Sequence, residues 1–83
     1  MLLDRINLTR RVIAALSDAL HLANEVHDSG AAAGFYALRD AAARDLNAIV
    51  ERAFTNGALT DAEVRSARRP IYGARHEMES PRV

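Results

Sequence analysis

The residues best placed for chemistry in this sequence are arginines near its C-terminal end. They form a patch with one tyrosine: Arg65, Arg68, Arg69, Tyr72 and Arg75. Between positions 65 and 76 the chain has no acidic residue. Guanidinium groups bind carboxylates and phosphates through paired hydrogen bonds, and arginine and tyrosine are both enriched at protein interfaces. The patch therefore predicts a contact surface for a partner protein.

The same patch is compatible with two other functions. Arginines can bind nucleic-acid phosphates while a tyrosine stacks on a base, and arginines from two subunits could line a pocket for an anionic metabolite. The 11 basic residues of the chain are balanced by 11 acidic ones, whereas nucleic-acid-binding domains usually carry net positive charge. Protein binding is therefore the leading hypothesis. A nucleic-acid-binding regulator and a small dimeric helical enzyme are the alternatives.

A second group of polar residues lies in the first third of the chain: Asp18, His21, Glu25 and Asp28. Their spacing of three, four and three places them on one side of a helix. Histidine and carboxylates can bind a divalent metal, but this spacing matches no established metal motif and is more typical of charge pairing along a helix. We expect no metal, no cofactor and no catalytic residue.

The composition indicates a thin hydrophobic core. The 83 residues include 17 alanines, which add little burial energy, and no cysteine, which excludes disulfides and thiolate zinc sites. Small domains without such supports are often stabilised by a second subunit, so a homodimer is expected. Eleven arginines without a lysine are typical of a GC-rich genome, bacterial or phage. The lack of a long apolar run or secretory signal favours a cytoplasmic protein without membrane contact.

Apolar spacing predicts a first helix over about residues 3–27. Asp4 is the expected N-cap, and Arg10 and Arg11 are assigned to the polar side. The apolar residues cover about half of the circumference, which is more than one neighbouring helix requires. We therefore expect this helix to contact two others. Its expected core or dimer residues are Ile6, Ile13, Leu16 and Leu20.

The turn sequence "HDSGAAAG" separates this helix from a second one, predicted over about residues 31–56. Asp28 or Ser29 is the expected N-cap of the second helix. Its inner face is predicted from residues that recur at helical spacing: Phe35, Leu38, Leu46 and Ile49. Two helices of similar length joined by a short turn predict an antiparallel hairpin.

The stretch "TNGALTDAEV" is the most specific local signal in the chain. Gly57 suits the left-handed residue that ends a helix. Thr60 and Glu63 have the spacing of a capping box, and Leu59 and Val64 that of its hydrophobic staple. One helix should therefore end just before Gly57, and the next should begin at Thr60.

The third helix is predicted over about residues 60–78 and contains Pro70. Proline cannot donate the backbone hydrogen bond to the carbonyl of Ser66, four residues earlier. An apolar repeat nevertheless continues across it: Val64, Ala67, Ile71, Ala74 and Met78. The repeat predicts one bent helix, or two short ones, packed on the hairpin. Residues 79–83 are predicted to form a frayed tail.

Together these patterns predict an all-α chain of one domain, residues 1–83. Its fold class is an antiparallel helical hairpin with a shorter, proline-kinked third helix, assembled as a dimeric helical bundle. The predicted function is that of a non-enzymatic regulator, adaptor or inhibitor. It would bind a second copy of itself and a separate protein partner.

Overall fold

The computed structural model describes residues 1–79, which contain helices and no strand. Four helices follow one another along the chain: α1 (Leu2–Glu25), α2 (Ser29–Thr55), α3 (Asp61–Ala67) and α4 (Ala74–Glu79). The prediction of an all-α chain is confirmed. Of the predicted tail 79–83, positions 80–83 lie outside the described residues.

Helices α1 and α2 pack along each other as the predicted hairpin. Ile6, near the start of α1, shares one core cluster with Val50 and Ala53, near the end of α2, so the two helices run antiparallel. Helix α1 also packs against α4, and α2 packs against α3. The expectation that the first helix contacts two others is therefore confirmed.

The hydrophobic core is small, and its main cluster joins the α1–α2 hairpin to Leu59 and to Ala67 of α3. Its buried apolar residues are Ile6, Ile13, Ala14, Ala23, Leu46, Val50, Ala53, Leu59 and Ala67. Four of these nine are alanines, so few large side chains contribute to burial. The remaining residues of the two predicted faces are half-buried (Leu16, Leu20, Phe35 and Ile49) or exposed (Leu38).

Helix α1 ends in a Schellman turn, two residues earlier than predicted. The amide of Asp28 donates to the Ala23 carbonyl at 2.9 Å, and the amide of His27 donates to the Asn24 carbonyl at 3.1 Å. His27 has φ 59°, the left-handed conformation that usually falls to glycine at this position. The Oδ1 atom of Asp28 then accepts the Ala31 amide at 3.0 Å. Asp28, rather than Ser29, therefore caps α2.

The start of α1 differs from the prediction. The helix begins at Leu2 with Met1 at the N-cap position, and no side chain caps it. The prediction of Asp4 as N-cap is wrong, because Asp4 lies in the first turn of the helix. There a carboxylate still interacts favourably with the positive end of the helix dipole.

We expect His27→Gly to stabilise the protein by about 0.5–1 kcal/mol. A left-handed residue with a Cβ costs roughly 1–2 kcal/mol, and the greater entropy of glycine in the unfolded chain offsets about half of that. Gly57 is the matched control. It has φ 74°, and no atom lies within 4 Å of the place that a Cβ would occupy, so Gly57→Ala should destabilise through backbone strain alone. Urea unfolding followed by circular dichroism measures both changes, and a destabilising His27→Gly would contradict this account.

The boundary between α2 and α3 follows the prediction. Helix α2 ends at Thr55, and the Ala58 amide donates to the Ala53 carbonyl at 2.8 Å. The capping box is confirmed: Thr60 Oγ1 accepts the Glu63 amide at 3.2 Å, and Glu63 Oε1 accepts the Thr60 amide at 2.9 Å. The predicted staple residues Leu59 and Val64 pack into the core cluster.

The stretch predicted as one bent helix or two short ones forms two, α3 and α4, with Pro70 in the non-helical link between them. This link resets the helical register. The prediction of Met78 on the inner face is therefore wrong: Met78 is 70% exposed, and Glu77 is buried in its place.

The link is held to α1 by the buried guanidinium of Arg10, which is 1% exposed. Its Nη1 donates to the carbonyls of Ala67 and Arg69, both at 2.8 Å, and its Nη2 donates to the Pro70 carbonyl at 3.3 Å. These carbonyls are left without helical partners where α3 stops. The assignment of Arg10 to the polar side is wrong, since this residue caps the end of α3 from across the core.

Glu77 completes the arrangement from α4. Its Oε1 accepts Arg10 Nε at 2.6 Å, and its Oε2 accepts Arg10 Nη2 at 3.0 Å. All five N–H groups of Arg10 thus have acceptors. The Ser66 carbonyl, which loses its helical donor because of Pro70, accepts Arg69 Nη1 at 2.6 Å. We call Arg10 and Glu77, with the three carbonyls that accept from Arg10, the Arg10–Glu77 clamp.

Candidate interaction surface

The structure divides the predicted arginine patch. Arg65 and Arg68 are exposed and make no side-chain ion pair within residues 1–79. Arg75 is exposed and pairs with Glu79 at 3.3 Å. Tyr72 is 70% exposed and meets the ring of His76 edge-on, with 5.0 Å between ring centroids.

Arg69, the fifth member of the patch, is directed inward. Its Nη2 donates to Glu77 Oε1 at 3.1 Å, and its side chain is 22% exposed. Burial lowers the pKa of Arg69 from its ordinary value, and the nearby Arg10 guanidinium lowers it further, while Glu77 opposes both effects. The Arg69 guanidinium is therefore engaged by Ser66 of α3 and Glu77 of α4, and little of it is available on the surface.

The members of the predicted group Asp18, His21, Glu25 and Asp28 make separate contacts within the fold. His21 Nε2 lies 3.1 Å from Glu25 Oε1, one helical turn away. Asp18 Oδ2 accepts the Ala74 amide at 3.0 Å, at the start of α4. Gly73 allows this approach, because a Cβ there would lie 2.8 Å from Asp18 Oδ1. In the described part of the chain no group of His, Asp or Glu side chains is placed to hold a metal ion.

An open cleft of about 470 Å³ lies between the second half of α1, the first half of α2 and the link to α4. Ser17, Asn24, Arg39 and Tyr72 are among its lining residues. The Arg39 guanidinium stacks over the ring of Tyr36, 5.3 Å from its centroid. Among the described residues, Arg39 is the one arginine that lines the cleft, and His21 lines it as well.

An exposed apolar stripe runs along α1 to its C-cap residue Val26. It consists of six residues spaced alternately by four and three: Leu8, Val12, Ala15, Ala19, Leu22 and Val26. We call this set the outer stripe. Its four large side chains are 62%, 43%, 59% and 65% exposed, in chain order. It covers about 27 Å of helix at 1.5 Å per residue.

The outer stripe faces away from the core. At 100° per residue its members fall within one arc of the helix, roughly opposite the arc of Ile6 and Ile13. Neither α2 nor α4 covers it, since its large side chains stay exposed beside both helices. The spacing of 3.5 is that of a helix that packs against one further helix. Apolar spacing predicted one broad apolar face on this helix, but only the packing of α2 and α4 separates an inner face from an outer one.

No helix within residues 1–79 combines the length and the apolar character needed to cross a bilayer. Comparison of the chain with protein-family models, with curated proteins and with solved structures finds no match.

Proposed function

We propose that this chain acts by protein–protein association through the outer stripe of α1, as a small regulator, adaptor or inhibitor in the cytoplasm. The observation that supports this most strongly is the stripe itself: an uninterrupted apolar repeat whose large members remain about half exposed. Contiguous apolar patches on soluble proteins usually mark interaction sites.

The energetics favour a covered stripe. Full burial of a valine or leucine side chain contributes about 1.5–3 kcal/mol, and much of this gain is still available for the four large members of the stripe. The small core makes such a contribution important, because an 83-residue chain has a total stability of only about 4–12 kcal/mol. A partner helix on the stripe would therefore stabilise the fold as well as the complex.

Nucleic-acid binding by the arginine patch has less support. Arg69 is engaged with Glu77, and Arg75 already has an acidic neighbour in Glu79. The chain carries no net charge, so counterion release from a nucleic acid would depend on few groups. Arg65 and Arg68 remain a candidate contact for a partner protein, beside Tyr72.

Enzymatic chemistry on an anion also has less support. Two arginines do converge on a carboxylate, but that carboxylate is the chain's own Glu77, which is 5% exposed. Every donor of Arg10 is already matched by Glu77 or a backbone carbonyl. The arrangement neutralises charge inside the fold and leaves no donor of Arg10 for a substrate.

The proposal is tested by a photo-crosslinking residue, benzoylphenylalanine, placed at the position of Leu22 in the native host. We expect covalent adducts with a protein chain, because Leu22 lies within the outer stripe. The matched control is the same residue at the position of Glu51, which is exposed on α2. Adducts from position 51 alone, or none from position 22, would contradict the proposed function.

A further inference from the structure

We infer that the partner of the outer stripe is the outer stripe of a second copy of this chain, with the two α1 helices antiparallel. This inference rests on the proposed function and adds the identity of the partner and its orientation. It depends on two observations: the order of large and small residues along the stripe, and the charges that flank it.

The stripe is symmetric in residue size about its centre. Its residues read large, large, small, small, large, large, from Leu8 to Val26. When two copies pair antiparallel, Leu8 of one lies against Val26 of the other, and Val12 lies against Leu22. The two alanines meet at the two-fold axis, where their small side chains let the helix backbones approach closely. Every layer thus matches, and each contact occurs twice because a two-fold interface is self-complementary.

Residue size alone also permits a parallel pair, since identical residues would then meet in each layer. The flanking charges distinguish the two orientations. On one edge of the stripe lie Arg11, Asp18 and Glu25, each seven residues apart. On the other edge the corresponding residues are Thr9, Leu16 and Ala23.

In a parallel pair the charged edge of one helix meets the uncharged edge of the other. Arg11 would then lie beside Leu16 of the second copy, without an opposite charge. In an antiparallel pair the charged edges meet each other. Arg11 then lies beside Glu25 of the second copy, twice per dimer, and Leu16 lies beside its own symmetry mate on the apolar edge. Charge complementarity therefore favours the antiparallel pair.

Asp18 is the one flanking group that meets a like charge, because its symmetry mate lies near the two-fold axis. Its carboxylate is held toward α4, where Oδ2 accepts the Ala74 amide at 3.0 Å and Oδ1 lies beside Gly73. The two carboxylates are therefore turned away from the seam. Glu25 is 60% exposed at its side chain and keeps its contact with His21 while facing Arg11 of the second copy.

Disulfide trapping tests this orientation directly, since the 83 residues contain no cysteine. Leu8→Cys and Val26→Cys are made in separate full-length chains, one of which carries a mass tag. Both positions are more than half exposed, so each variant should keep the helical circular dichroism of the parent. We expect mild oxidation of the mixture to give mainly the mixed disulfide between a Leu8→Cys chain and a Val26→Cys chain. Glu51→Cys is the control and should give no disulfide dimer.

The outcomes separate this inference from the proposed function. Disulfides between two Leu8→Cys chains, in preference to the mixed product, would overturn the antiparallel arrangement. The absence of any disulfide would overturn self-pairing, and the proposed function would then still stand if position 22 photo-crosslinks to a different protein. If neither disulfides nor photo-adducts form, both the inference and the proposed function are wrong.

Discussion

Arg10→Ala is expected to destabilise the protein by about 3–5 kcal/mol, the usual cost of removing one partner from a buried ion pair. The variant leaves Glu77 inside the core with Arg69 as its remaining ion-pair partner. It also leaves the carbonyls of Ala67, Arg69 and Pro70 without the Arg10 donors. Each buried acceptor that loses its donor lowers the free energy of unfolding by about 1–3 kcal/mol when water cannot replace that donor. The loss is a large share of a total stability of about 4–12 kcal/mol.

The loss of stability in Arg10→Ala should be greatest in the C-terminal part of the chain. The Arg10–Glu77 clamp joins the link and α4 to α1, while α1 and α2 pack against each other without it. Amides of α3 and α4 should therefore lose protection from hydrogen exchange in Arg10→Ala, whereas amides in the middle of α1 and α2 keep more of theirs.

Two exposed charges outside the clamp provide controls. Arg44→Ala removes an arginine of α2 that is 74% exposed at its side chain and pairs with Asp40 one helical turn away. Glu79→Ala removes an exposed partner of Arg75, and exposed pairs contribute only about 0–1 kcal/mol. Urea unfolding should give Arg10→Ala and Glu77→Ala a much lower free energy of unfolding than either control variant. A loss within about 1 kcal/mol of the controls would show that the clamp is not a major source of stability.

Local signals made most of the fold predictable from the sequence. A capping box, a glycine with positive φ and a turn with Asp28 act over three to six residues, so their effect can be read without tertiary contacts. The hairpin followed from these boundaries together with apolar spacing. A bend or a split at Pro70 was predicted for the same reason, because the lost hydrogen bond to Ser66 is a local consequence of proline.

The clamp was not predicted, although the sequence carries a signal for it. Arg10 lies between Ile6 and Ile13 at spacings of four and three, which places it on the inner face of α1. Because it is an arginine, it was expected to be exposed to solvent, since an arginine is rarely buried without several partners. Those partners lie at the end of α3, in the link and in α4, between 57 and 67 residues away in the sequence. No local pattern shows that distant carbonyls will be free to accept its protons.

The candidate surface was predictable only in part. The apolar residues of α1 were identified, but whether Leu8 or Leu22 faces a neighbour depends on where α2 and α4 dock. The arginine patch was identified as a run of charge, and its division could not be foreseen, because Arg69 is drawn inward by Glu77 across a non-helical link. In both cases the missing information is tertiary packing.

Leu22→Arg is the second change with a large expected effect, here on association. Leu22 is 59% exposed in the single chain, so the isolated subunit should fold as before. In the antiparallel pair each copy loses a leucine contact and places a charge against Val12 of the other copy. Two such losses of about 1.5 kcal/mol or more should raise the dissociation constant by about 100-fold. Glu51→Arg, on the exposed side of α2, should leave association unchanged.

The central claim is that the outer stripe of α1 is covered by the outer stripe of a second copy, and sedimentation equilibrium of the full chain tests it most directly. Across the micromolar range we expect the parent and Glu51→Arg to approach twice the 9.1 kDa mass of one chain. Leu22→Arg should remain at the single-chain mass with unchanged helical circular dichroism. A parent chain that stays at 9.1 kDa up to millimolar concentration, folded and without self-association, would contradict the account.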